Sequence, residues 1–136
     1  MTDIPDGFEP AQFTKGFLDQ SGPYYLKEVA DGTIVGLRVQ KSHVNYIKVA
    51  HGGVLTTLAD VALSLQVHQS EIPNLPVSTV SLTTNFLSGA KLDEWIEATA
   101  IIDRIGKKLA YVSGAICSGD RTIMTMSGVF NVFRSK

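Results

Sequence analysis

The stretch from Asn45 to Ser64 gathers residue types that could do chemistry together. Asp60 stands in the middle of an otherwise apolar run, Gly52 and Gly53 open that run, His51 precedes them, and Asn45 lies six residues before the histidine. A carboxylate is almost never taken out of water without a partner or a task. As a base it could activate water, and as a nucleophile it could attack a carbonyl. Glycines in the first turn of a helix leave unpaired N–H groups and the positive end of the dipole open to another molecule. Such a place suits a developing oxyanion, and one donor there is worth about a hundredfold to a thousandfold in rate. His51 can hydrogen-bond into the same place, and the Asn45 amide can orient a water or hold a carbonyl. The set suits hydrolysis of an activated acyl group. A thioester fits best, because its carbonyl can be attacked without a metal or a strong serine nucleophile.

Each of these residues also has a plainer reading. Asp60 could be a structural carboxylate held by Thr56 and by strand donors. The two glycines could serve close packing, Asn45 a turn, and His51 the hydrogen bonding of a helix start.

These groups need a scaffold that holds them apart and in order. Val54, Leu55, Leu58, Ala59, Val61, Ala62, Leu63, Leu65 and Val67 cover nearly the whole circumference of a helix at a period of 3.6. The spacing predicts a long buried helix over residues 51–69, ended by Pro73 and Pro76. Thr56 and Ser64 fall one turn before and one turn after Asp60, so a narrow polar stripe runs down an apolar rod. Asp60 lies about 12 Å along this helix from Gly52, at ~1.5 Å per residue. The two cannot touch one carbonyl within a single subunit. If both act, a second copy lying antiparallel must supply one of them.

The rest of the chain reads as a wrapper for that rod. Residues 1–9 look like a loose arm, and residues 10–19 carry Phe13, Phe17 and Leu18 at the spacing of a short amphipathic helix. Residues 24–30 and 33–39 are β-prone runs joined by the hairpin signal Asp31-Gly32. After the central helix the period becomes two, which predicts four strands over residues 77–86, 94–105, 108–118 and 121–133. Residues 1–22 are thus expected as an arm with a short helix, and residues 23–136 as one α+β domain. In that domain an antiparallel curved sheet wraps the helix. The open outer face of a single sheet favours association with another copy.

Composition sets further bounds. A chain of 136 residues with net charge −1 has no general field for nucleic acid or membrane. Its one cysteine, Cys117, excludes an intrachain disulfide and a cysteine-built zinc cluster. No apolar run reaches the ~20 residues of a membrane span, and the acidic start lacks an export pattern, so a cytoplasmic location is expected. His43 and His68 lack a metal-ligand pattern and read as surface residues. Trp95 reads as packing or a subunit contact. A Gly-x-Ser-x-Gly elbow, a phosphate-binding glycine loop and a dinucleotide fingerprint are missing from the sequence.

His51-Gly52-Gly53, with Asp60 nine residues after the histidine and Asn45 six before it, resembles the hotdog-fold acyl-CoA thioesterases of the PaaI-like (4-hydroxybenzoyl-CoA thioesterase) type. The resemblance runs from about residue 32 to 132. It implies that Asp60 is base or nucleophile, that the Gly52 N–H is the oxyanion donor, that Asn45 binds the carbonyl or the water, and that His51 supports this loop. It implies a hydroxyl early in the strand after the helix that orients the water. Thr79 fits best, with Ser78 and Ser81 close by. It implies that coenzyme A phosphates meet Arg104, Lys107 and Lys108. Where the family often has glycine three residues before the histidine, this chain has Lys48.

The expected protein is therefore a homodimeric or homotetrameric acyl-CoA thioesterase without a cofactor. The alternatives are an acyl-CoA-binding protein without turnover and a hotdog-type enoyl-CoA hydratase using His51.

Overall fold

The computed structural model describes residues 3–134. The chain forms β1 (Glu9–Pro10), α1 (Phe17–Ser21), β2 (Tyr24–Val29), β3 (Gly32–Arg38), a 3-10 turn at Lys41–His43, α2 (Gly52–His68), β4 (Val77–Phe86), β5 (Trp95–Ile105), β6 (Leu109–Ser118) and β7 (Arg121–Val132). The strands make one antiparallel sheet in the order β1-β2-β3-β5-β6-β7-β4. The helix carries the chain from β3 to the far edge, β5 returns to pair with β3, and β6 and β7 follow until β7 meets β4.

One face of α2 packs into the concave side of this sheet. Leu55, Leu58, Ala59, Val61, Ala62, Leu63 and Val67 are buried, in one core with Leu37, Ile96, Ile116, Met124 and Phe130. Full burial of such a side chain contributes about 1.5–3 kcal/mol. Ile96, Ala98, Ala100 and Ile102 share the core-facing side of β5, as their alternation requires. The rod is not covered all round, however. Thr56, Asp60 and Ser64 remain partly exposed, because this sheet wraps only part of the helix.

Several expectations shift. Of the arm expected over residues 1–9, the described end is not loose: Glu9 pairs with β2 through β1, and Phe8 stacks edge-on against Trp95 at 5.1 Å. The helix expected over residues 10–19 is shorter and later. Pro10 lies in an edge strand, where its missing N–H is harmless. Phe13 satisfies its apolar character by packing against Tyr24, at 6.0 Å between rings. The hairpin turns at Ala30-Asp31, one residue early, because Gly32 uses its positive φ of 140° to start β3. His43 is not a surface residue but is 2% exposed. Trp95 packs within its own chain against Phe8 and Tyr25.

The two edges of the sheet differ. β1 is two residues long. β4 presents ten residues whose outer edge no strand pairs among the described residues, with Val80 54% and Phe86 53% exposed. Among the described residues no helix is long and apolar enough to cross a membrane.

Candidate functional site

The first turn of α2 is held by the chain that leads into it. His51 is its N-cap, at φ −61° and ψ 142°, and its Nδ1 accepts the Gly53 N–H at 2.9 Å. An imidazole nitrogen can do this only while unprotonated. The Val54 and Leu55 N–H groups donate to the His51 carbonyl, at 2.9 and 3.2 Å. Gly52 N–H alone finds no acceptor among the described residues. The Phe86 ring borders it, 3.6 Å from where a Cβ on Gly52 would lie.

Two neighbours fix the loop before the helix. The His51 N–H donates to the His43 carbonyl at 2.8 Å, and the Ala50 N–H to the Ala90 carbonyl at 2.7 Å. His43 is itself tied down: Nδ1 accepts the Gln40 N–H at 2.9 Å, and Nε2 donates to the Ser21 carbonyl at 2.7 Å. The turn that carries Ala90 is clamped by Arg121, which donates to the Gly89 carbonyl at 2.6 Å and pairs with Glu94. Burial alone would raise the Glu94 pKa. Hydrogen bonds from Ser118, the Lys91 N–H and Arg121, with the charge of Arg121, override it and bring the value down to about 2.

Asn45 serves the same loop. Its Oδ1 accepts the Ile47 and Val49 N–H groups at 3.1 and 3.3 Å, so the side-chain oxygen is taken up by a turn. Its Nδ2 has no partner among the described residues and is the one group it can offer a ligand. Lys48 stands at φ +64°, the left-handed conformation that glycine takes at less cost.

Eight residues on, the surroundings change. Asp60 is partly exposed, and Thr79 Oγ1 donates to its Oδ1 at 2.7 Å. This is the one hydrogen bond the carboxylate makes among the described residues. Neither stripe neighbour holds it: Thr56 donates to the Gly52 carbonyl at 2.7 Å, and Ser64 to the Val61 carbonyl at 3.2 Å. Of the two kinds of partner expected in the plainer reading, Thr56 drops out, because a threonine on a helix finds its own i−4 carbonyl first, and the strand donor is Thr79.

Thr79 is singled out from Ser78 and Ser81 by register. Thr79 pairs with Phe130 and Ser81 with Val129, so a bulge at Val80 separates them. Phe130 is buried against the helix, so Thr79 shares its side of the sheet while Ser81 takes the other.

Arg104, Lys107 and Lys108 are exposed around the β5–β6 turn. With Leu109 and Tyr111 they line an open cleft of about 590 Å³. Arg104 pairs with Tyr111 between two inward pairs, Ile102 with Val112 and Ile105 with Ala110, so it points to the convex face. Within one chain the sheet lies between Arg104 and Asp60.

Thus the structure joins Thr79 to Asp60 and groups Asn45, His51 and Gly52 in one loop. It separates these two clusters: Gly52 lies by Phe86, and Asp60 by Thr79, seven residues back along β4. The sequence reading missed the bracing role of His43 and the Arg121–Glu94 clamp. Their contacts are long-range, and no periodic signal marks them.

Comparison with known proteins adds the following. The sequence pattern of the family described as "Thioesterase superfamily" matches residues 47–125. A Pseudomonas aeruginosa protein named "Putative esterase PA0474" is 35% identical, over 97% of this chain and 99% of its own length. Human acyl-coenzyme A thioesterase 13 is 32% identical, over 68% of this chain and 66% of its own. The crystal structure of a hypothetical thioesterase from Streptococcus pneumoniae TIGR4, solved with coenzyme A, superposes with a TM-score of 0.75. It is 25% identical, and the match covers 83% of this chain and 88% of that one.

Proposed function

The chain belongs to the thioesterase superfamily, as a PaaI-like protein with the hotdog fold, and from that premise we propose that it hydrolyses an acyl-CoA thioester in a site shared by two copies. The observation that carries this reading is the state of the Asp60 carboxylate. One oxygen is fixed by Thr79 at 2.7 Å, while the other makes no hydrogen bond among the described residues, on a partly exposed stripe of α2. A carboxylate so placed keeps its orientation and still has a lone pair for a water or a carbonyl carbon.

The oxyanion donor in this proposal is the Gly52 N–H, aimed by its place at the positive end of α2. Its distance from Asp60 along the helix, about 12 Å at ~1.5 Å per residue, calls for a second copy. The free edge of β4 supports that reading. A two-fold axis through the middle of this strand sets the Phe86 end of one copy beside the Thr79 end of the other. The partner's Gly52 then approaches Asp60. Water deprotonated by Asp60 attacks the thioester carbonyl, or Asp60 itself attacks it and forms a mixed anhydride that water then cleaves to the free acid. The oxygen gathers charge against the Gly52 N–H, and coenzyme A departs as thiolate. The Asn45 Nδ2 can donate to the same carbonyl or to the water. Arg104, Lys107 and Lys108 are the cations offered to the coenzyme A phosphates; they would serve a nucleotide lying across the outside of the sheet. His51, with Nδ1 engaged by Gly53, supports the donor loop and is poorly placed to act as a hydratase base.

Thiol release from a panel of acyl-CoA thioesters tests the proposal. Wild-type protein should release thiol, and Asp60→Asn, with an unchanged circular dichroism spectrum, should lose about 10²–10⁴-fold in kcat. An equal rate in the folded variant, or no release from any thioester, refutes it.

A further inference from the structure

Resting on the thioesterase reading, we infer that the acyl group lies in an apolar cleft running on from Asp60 between α2 and β4, and that Phe13 is the end stop that sets how long an acyl chain it takes. The cleft holds about 340 Å³ and is lined by Val61, Ser64 and Leu65 of α2, Val77 of β4, and Phe13 and Leu18 of the N-terminal segment. It begins one step from the candidate carboxylate on both elements. Ser64 is one helical turn beyond Asp60. Val77 is two residues before Thr79 and pairs with buried Val132, so both strand residues face the helix. The Ser64 hydroxyl is spent on the Val61 carbonyl, and His68 is the one other polar side chain of a lining that is otherwise apolar. The cleft's mostly apolar walls suit a hydrocarbon tail rather than a charged group.

A second, open cleft of about 570 Å³ lies beyond it, between the N-terminal segment, β2 and the C-terminal end of α2; Leu26, Pro10 and Leu65 give it an apolar strip, while Glu9, Glu28 and Gln69 make the rest of its lining polar. Phe13, Leu65 and His68 line both spaces. They are the partition. His68 is a fixed part of that wall, because its Nδ1 donates to the Leu75 carbonyl at 2.6 Å. Leu65 belongs to the helix. Phe13 sits on an irregular segment at the rim of the core, so it is the member that can be shortened without opening α2. Removing its ring joins the two spaces and lengthens the channel that leads away from Asp60.

Calorimetric binding of saturated acyl-CoA thioesters of increasing length tests this on Asp60→Asn protein, with and without Phe13→Ala. Affinity should rise with tail length up to a limit in the parent. In the double variant the limit should move to longer tails, each added methylene that packs on the apolar strip of Leu26, Pro10 and Leu65 raising affinity by up to about fourfold. Short tails should bind both alike. Phe13→Leu should move the limit less and guards against loss of fold, which thermal melts monitor. The same length dependence in all three proteins overturns the assignment, and so does an absence of binding. Because the readout is binding, it stands apart from the thiol-release test. A wild-type protein that releases no thiol defeats the enzyme reading, whatever Phe13 does.

Discussion

The start and the middle of α2 are held in opposite ways. At the start, His51 caps, His43 and Ala90 receive the backbone of the loop, and Arg121 clamps the turn behind it. Among the described residues the Gly52 N–H is the one backbone donor of the first helical turn left unmatched there. At the middle, Asp60 has one hydrogen-bond partner among the described residues, Thr79, and lies on a partly exposed stripe. The difference fits two chemical tasks. A donor for a developing oxyanion is useful only if it does not move as charge builds. A base needs one oxygen fixed and one available. The contrast also explains the long loop between β3 and α2, which spends its residues bracing a single helix turn.

The sharpest way to break the comparison is to remove the left-over donor and nothing else. Gly52 is the first helical residue, where proline is well tolerated. His51 already has the extended backbone that a following proline requires. Gly52→Pro should fold, and its kcat for thioester hydrolysis should fall about 10²–10³-fold. An unchanged kcat would move the oxyanion site elsewhere.

At the middle of the helix, Thr79→Val keeps the strand and deletes the one bond to Asp60. A hydrogen bond to a charged group is worth about 1.5–3 kcal/mol. Steady-state kinetics should show kcat down by about tenfold or more, with KM little changed. A loss confined to KM would make Thr79 a substrate contact instead.

The braced end should also respond to acid. Glu94 has its folded pKa lowered from 4.5 to about 2, so its contribution is present above the unfolded value and fades as pH falls from about 4.5 toward 2. Arg121 is 43% exposed and screened, so about 1 kcal/mol is at stake. Glu94→Gln should therefore melt lower than wild type at pH 7, and the gap should close toward pH 2. A gap independent of pH would assign the loss to packing.

The smallest effect concerns Lys48. A non-glycine residue at φ +64° costs roughly 1–2 kcal/mol, partly offset by the greater chain freedom of glycine. Lys48→Gly should raise stability by about 0.5–1 kcal/mol in urea unfolding. A lower stability would show that the lysine side chain contributes a contact that outweighs its backbone strain.

Much of the fold was legible because periodicity is local. The helix over residues 51–69 appears as Gly52–His68, and the run over residues 77–86 appears as Val77–Phe86. The N-terminal segment was not legible. Phe8 and Phe13 are apolar for the sake of Trp95 and Tyr24, far away in the chain or on the other side of a turn. His43 looked like any exposed histidine, since its partners Ser21 and Gly22 lie about twenty positions earlier. In β4 the alternation itself was misleading. Residues 77 and 79 face the helix before the bulge, while 82, 84 and 86 pair with the core-facing side of β7 after it. One extra residue reverses every later side chain.

The sequence by itself determined the apolar rod, its glycine start and the lone acid within it, because a period of 3.6 and the conformational freedom of glycine act over a few neighbouring residues. Only the tertiary structure decided that β4 lies beyond β7 at the sheet edge, that Thr79 reaches Asp60, and that one stripe of the rod stays uncovered. Those outcomes depend on strand order and register, which are set by how the whole core closes.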